Sequence, residues 1–145
     1  LKRQGFVCKM IIEDDYHEWF KKAAEDELSA KAVLKNGAPS TGCFLSQQMA
    51  EKYLKGLLVF HKKDFPKVHD LLDLETLLLH IVPEIKELHA DLKLLNRYYI
   101  ETRYPGDYPE FTLDECEKAQ RAALRIKEFM LTKISEQQNK KNKNV

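Results

Sequence analysis

Two groups of side chains have types and spacing that could do chemistry. Gln48, Glu51, Lys52 and Lys55 recur at three- and four-residue intervals, so a helix sets them on one face. In a cleft, the two ammonium groups of that stripe would neutralise phosphates. On open surface the same stripe is a solvated seam with an internal Glu–Lys pair, which contributes ~0–1 kcal/mol. The second group is Arg97, Tyr98, Tyr99, Arg103, Tyr104 and Tyr108. Tyrosine faces and guanidinium planes stack nucleobases, and arginine binds phosphate bidentately. The same tyrosines would equally serve a core or an interface with their hydroxyls at the rim, and Arg97 could simply pair with Glu101. Taken together, Lys52, Lys55, Arg97, Arg103 and Tyr104 are the candidate nucleotide- or phosphate-binding residues.

Other chemistries find no foothold. His80 and His89 lack the HxxxH spacing of a zinc site, so no metal is expected. No Gly-rich phosphate loop occurs, which excludes P-loop and Rossmann readings. Cys8, Cys43 and Cys116 are odd in number and far apart with no CxxC pair, so neither a zinc knuckle nor a disulfide framework is indicated. A reducing cytoplasm is the expected setting. His69, beside Asp70 ahead of a helix, reads first as a structural hydrogen-bonder. No cofactor is expected.

The elements that must position these groups are helices. Tyr16, Trp19, Phe20, Ala23, Ala24 and Leu28 recur at helical spacing after the N-cap candidates Asp14 and Asp15, and Asn36-Gly37-Ala38-Pro39 ends that run. Ser40 or Thr41 then starts a second helix, about residues 43–61, that is apolar nearly all round except for the stripe. A third helix is predicted over residues 69–80. Pro83 restarts the chain as an N1 proline, and Ile85, Leu88, Leu92, Leu95 and Tyr99 predict one helix running to the Pro105-Gly106 break. Residues 104–111 hold two prolines and must be a loop. Thr112 with Glu115 makes a capping box for the last helix. Residues 137–145, rich in Asn, Lys and Gln, read as a disordered polar tail.

The expected fold is therefore all-α: an antiparallel up-and-down bundle of four to five helices over residues 14–136, preceded by a lead-in, residues 1–13, without an assigned role. The composition agrees. Hydrophobic residues make up 43% and charged residues 32%, with only 5 Gly and 5 Pro, which favours long helices over strands. A net charge of +1 gives no bulk signal for a nucleic-acid coat or a membrane surface, though a local basic patch is compatible with it. No apolar run approaches the ~20 residues of a membrane span. The apolar patch at residues 6–12 lacks a small-residue cleavage signal after it, which argues against a secretory leader.

Four features in order carry a family resemblance: Trp19…Ala23…Asp26…Leu28; the run from Phe44 through Ser46-Gln47-Gln48-Met49-Ala50-Glu51-Lys52-Tyr53-Leu54-Lys55 to Leu57; His69-Asp70-Leu71; and Arg103-Tyr104-Pro105-Gly106-Asp107. In that order and spacing they resemble the HEPN domain, over about residues 16–134. The resemblance implies a helical bundle, commonly a homodimer, and often a minimal nucleotidyltransferase partner in a toxin–antitoxin-like pair. Many HEPN proteins are metal-independent endoribonucleases that carry an Arg, four to six residues, then a His. None of Arg3, Arg97, Arg103, Arg121 and Arg125 has a His at that distance, and all five histidines (His17, His61, His69, His80, His89) precede Arg97. The expectation is thus a nucleotide- and/or partner-binding protein. The alternative is a ribonuclease with a degenerate site using His69 or Tyr104 with Arg103. Tyr104 is also, by the resemblance, a candidate acceptor of nucleotide from the partner.

Overall fold

The computed structural model describes residues 15–99 and 110–144, and every element among them is helical. Helix α1 spans Tyr16–Asn36. Asp15 caps it by accepting from the His17 N–H at 2.9 Å, and Gly37 closes it at φ 87°, a left-handed conformation in which its N–H reaches Val33 O at 3.0 Å. Helix α2 spans Pro39–Phe60, starting before the Ser40 or Thr41 cap read from the sequence. Pro39 is preset for the first helical position, so Ala38 becomes the cap residue and the Ser40 hydroxyl is released for another task. It accepts the Phe111 N–H at 2.9 Å, fastening residue 111 to the start of α2.

Helix α3 spans Leu71–Leu79 and begins two residues later than expected, because the Asp70 carboxylate caps it through Leu72 N and Asp73 N. The single long helix predicted from Pro83 is broken in two. Residues Pro83–Leu88 form a 3-10 turn, and α4 covers only His89–Asn96. Asn96 explains the early end. Its side chain accepts the Leu71 N–H at 2.9 Å and donates to Asp70 at 3.2 Å, local bonding that ties the end of α4 to the start of α3. Arg97, Tyr98 and Tyr99 therefore lie past the helix. Helix α5 spans Leu113–Lys143, and the Thr112 hydroxyl accepts the Glu115 N–H as the capping pattern predicts. The polar tail read from residue 137 is helical as far as Lys143. Gln138 donates to the Tyr16 hydroxyl at 3.0 Å and the Lys141 ammonium lies 5.5 Å from the Phe60 ring, so α5 has neighbours to grip there.

Helix α2 is the axis of the bundle, buried against α1 on one side and α5 on another. Sequential neighbours run antiparallel: Tyr16 at the start of α1 meets Phe60 at the end of α2, ring centroids 5.0 Å apart. The α3–α4 hairpin acts as a crossover, and α5 returns in the same direction as α2, touching Gly42 through Cys116 at one end and Phe60 through Lys141 at the other. Gly56 permits the close approach of α1. A Cβ there would sit 2.5 Å from the Phe20 ring. Leu54, Leu57, Leu58, Leu74, Leu78, Leu92, Leu95 and Ile126 fill the centre, each burial contributing about 1.5–3 kcal/mol.

A partly buried ion cluster centred on Glu27 joins α1 to α5. Glu27 on α1 accepts from Lys127 of α5 at 2.8 Å and from Lys31 at 2.7 Å. Burial pushes its carboxyl pKa up, but the hydrogen bonds from Lys127 and Lys31 together outweigh it and hold the group below the usual glutamate value. A depressed folded-state pKa means stability that is present above the unfolded pKa and lost as pH falls through the folded one. Glu27→Gln is expected to lower the unfolding free energy by roughly 1.5–3 kcal/mol at pH 7. Urea unfolding of both proteins across pH should show that difference closing below about pH 4.

Candidate functional site

The polar stripe of α2 does not face open water. Glu51 and Lys55 are 4% and 5% exposed, and Gln48 and Lys52 are half-buried. Lys55 Nζ bonds Glu51 Oε2 at 3.0 Å, with the Trp19 and Phe65 rings at 5.8 and 5.9 Å from the ammonium. The Lys52 ammonium holds Asp26 of α1. Burial raises the Asp26 carboxyl pKa, and Lys52 opposes that only in part. Both lysines read from the sequence as phosphate neutralisers are thus committed to carboxylates, and a phosphate would have to displace Asp26 or Glu51.

Glu51 serves a second group. His69 Nδ1 lies 3.2 Å from each of its carboxylate oxygens, and since an ionised carboxylate only accepts, the imidazole N–H is the donor of that contact. Gln47 donates to Glu51 at 3.4 Å and to the His69 carbonyl at 3.2 Å, and is itself fixed by Gln48, whose amide donates to Gln47 at 2.7 Å. The His69 ring is held from behind and exposed in front. It lies on Tyr99, centroids 4.6 Å apart and planes within 14°. Phe44 continues this aromatic surface, 6.4 Å beyond Tyr99.

The Arg/Tyr cluster divides. Tyr98 is a core residue. Its ring packs edge-on against Phe111, its hydroxyl reaches Glu115 at 3.5 Å, and burial pushes its pKa up to about 12. Arg97 is exposed, its guanidinium 5.8 Å from the Tyr98 ring. Arg103, Tyr104 and Tyr108, and the Glu101 suggested as a partner for Arg97, lie outside the described residues. Gln47 escaped the reading of the stripe although it stands four residues before Glu51. The contribution of Trp19 and Phe65 had no signal, because it depends on a turn folding back over α1.

Elsewhere the chemistry is muted. His89 Nδ1 bonds the buried Glu75 at 2.8 Å, a pairing the sequence did not suggest. No group of three potential metal ligands occurs among the described residues. Cys43 is buried beside Cys116, and burial drives its thiol to about 12, so it is no nucleophile. An open cavity of about 310 Å³ lies at the foot of α2, lined by Ala38, Pro39, Ser40, Thr41, Glu110 and Phe111. Its one titratable side chain is Glu110, and it includes none of the Glu51–His69 residues.

The HEPN domain matches residues 16–136, and the chain belongs to the HEPN family. The structure is similar to that of a protein from Thermus thermophilus, 32% identical, over 83% of this chain and 98% of that one, with a TM-score of 0.70. It is also similar to an archaeal HEPN homologue, 26% identical, over 82% and 97% of the two chains, with a TM-score of 0.67. No curated protein matches the sequence significantly. Among the described residues no helix is long and apolar enough to cross a membrane.

The buried pair makes a stability test. Lys55→Ala leaves Glu51 buried without its ammonium and opens space between Trp19 and Phe65, an expected cost of about 3–5 kcal/mol. Lys55→Met keeps the stem and should cost less, and combining it with Glu51→Gln should recover part of the loss. Urea denaturation followed by Trp19 fluorescence measures all three.

Proposed function

We propose that this HEPN protein is the nucleotide- and partner-binding member of a HEPN/minimal-nucleotidyltransferase pair of the toxin–antitoxin type, working as a homodimer. The observation that carries the nucleotide part is the His69–Tyr99 stack. A ring with one edge clamped by a buried carboxylate and one face open is a preorganised platform for a base. Arg97, nearby in the chain and exposed, supplies a cation for phosphate, and Arg103 and Tyr104 remain candidates on the segment that follows. The absence of an Arg-x4–6-His motif favours binding over cleavage. For the homodimer, the support is the half-exposed Leu45 on α2 and the exposed Leu28 on α1.

Titration calorimetry with ATP and GTP tests the platform. Base stacking is worth about 1–3 kcal/mol, so His69→Ala and Tyr99→Leu should each weaken binding roughly tenfold, and saturable binding unchanged by both would remove the platform. Light scattering should give twice the monomer mass at micromolar concentration, and a nucleotidyltransferase encoded beside this chain should co-purify with it. A monomeric mass and no co-purification would sink the partner part.

A second reading has one observation in its favour. A carboxylate behind an imidazole is also how a general base is oriented. On that reading the chain is a metal-independent endoribonuclease with a rearranged site around His69, Arg103 and Tyr104. RNA cleavage in chelator, abolished by His69→Ala, would put this reading first.

A further inference from the structure

Cys43 and Cys116 stand far apart in the sequence and meet at the foot of the bundle. Cys43 lies in the second turn of α2 and Cys116 in the first turn of α5. Both are fully buried, 0% and 1% exposed, and each thiol is the other's hydrogen-bond neighbour. Their meeting depends on Gly42. The Cys116 sulfur occupies the space that a side chain at position 42 would need: a Cβ there would lie 2.4 Å from Sγ and 4.0 Å from the Cys116 Cβ. Packed helices ordinarily keep their axes about 8–10 Å apart. A disulfide requires Cα atoms about 4.4–6.8 Å apart, a range that packed helices enter where a glycine lets them close in.

The foot is also where the molecule is open. The cavity of about 310 Å³ is lined by residues 38–41 and 110–111, the stretches that lead into the two cysteine turns. The bond from Phe111 N–H to the Ser40 hydroxyl is the tie across it. Burial raises both thiol pKa values, so neither sulfur is a nucleophile while the foot is closed. Local opening at helix ends costs far less than global unfolding, and here it frees both sulfurs together.

We propose that Cys43 and Cys116 form a reversible oxidation site, at which a peroxide joins α2 to α5 through a disulfide. The O–O bond of hydrogen peroxide breaks as one sulfur takes an oxygen, giving a sulfenic acid and one water. The second thiol then attacks that sulfur. The S–S bond forms, the S–OH bond breaks, and the hydroxyl leaves as a second water with the thiol's proton. The two thiols lose two electrons and two protons, and the peroxide is reduced to water. Because the second thiol is at hand when the sulfenic acid forms, condensation competes well with further oxidation. A dithiol reductant reverses the bond by exchange. Glu51, His69 and Tyr99 all fall between the two cysteines in sequence, so the disulfide closes the whole frame of the candidate site into one covalent ring.

The test uses the full chain with Cys8→Ser, so that only this pair can react, and Cys116→Ala on the same background as control. Each protein is treated with hydrogen peroxide, denatured in N-ethylmaleimide and weighed by mass spectrometry. The pair should lose both maleimide adducts without gaining oxygen and stay monomeric. Tryptic mapping should join the peptides of residues 43 and 116, and dithiothreitol should restore both adducts. Cys116→Ala should carry oxygen or maleimide at Cys43 and no internal cross-link. The reaction is repeated in urea just below the unfolding midpoint, where opening is frequent, so that slow access does not hide the pair. Free thiols, separately oxidised thiols or bonds only between molecules under both conditions would overturn the proposal. So would a cross-linked protein whose urea midpoint is below that of the reduced one. A disulfide that fits closes a loop of roughly 70 residues and should raise the midpoint.

Discussion

The buried ion pair between Lys55 and Glu51 is the constraint on which the rest of this molecule turns. Two charges on the central helix of a bundle are expensive to desolvate, and they persist only where mutual attraction and further polar and ring contacts offset that cost. Much of the architecture near α2 supplies those contacts. Trp19 and Phe65 close over the ammonium, Gln47 and His69 complete the carboxylate, and the turn after α2 folds back to bring Phe65 and His69 into range. Replacing the pair with leucines would make an easier core, but it would take the carboxylate away from His69 Nδ1. The energetic cost inside the bundle and the order of the imidazole at its edge are two aspects of one arrangement.

The edge inherits rigidity from the centre. His69 sits in a connecting segment, where a ring would ordinarily sample several rotamers. Here its Nδ1, its carbonyl and one face all have partners on other elements. Asn96 reinforces this by knotting the end of α4 to the start of α3, so that Tyr99 and His69 leave their helices from a common point. The stack is therefore built by backbone connections as much as by the rings themselves.

The helices were legible because their signals are local: apolar spacing, Asp15 and Thr112 as caps, and Gly37 after Asn36. The family too could be read, since two of its motifs, around Trp19 and around Glu51, lie within single helices. Where the reading failed, a distant residue had intervened. Asn96 spent its side chain on Asp70 and Leu71 and ended a helix whose apolar spacing continues to Tyr99. Tyr16 and Phe60 gave the polar end of α5 something to hold. The stripe was found, but its direction was not. Spacing says that Gln48, Glu51, Lys52 and Lys55 share a face, and only packing decides that Asp26, Trp19 and Phe65 cover it. Arg103 and Tyr104 belong to the segment outside the described residues, so that part of the candidate site stays where the sequence left it.

The parallel return of α5 has a consequence for how the chain is made. Residues of α1 and α5 that bond each other, such as Glu27 with Lys127 and Tyr16 with Gln138, lie about as far apart in sequence as this fold allows. A ribosome adds roughly 5–20 residues per second, so the α1–α2 hairpin emerges several seconds before the helix that covers its remaining apolar side. During that interval the nascent hairpin presents Leu54, Leu57 and Leu58, while Trp19, Phe65 and His69, all made before α5, can already close over Lys55 and Glu51. The charged side of the hairpin is therefore completed first, and what waits for α5 is apolar surface.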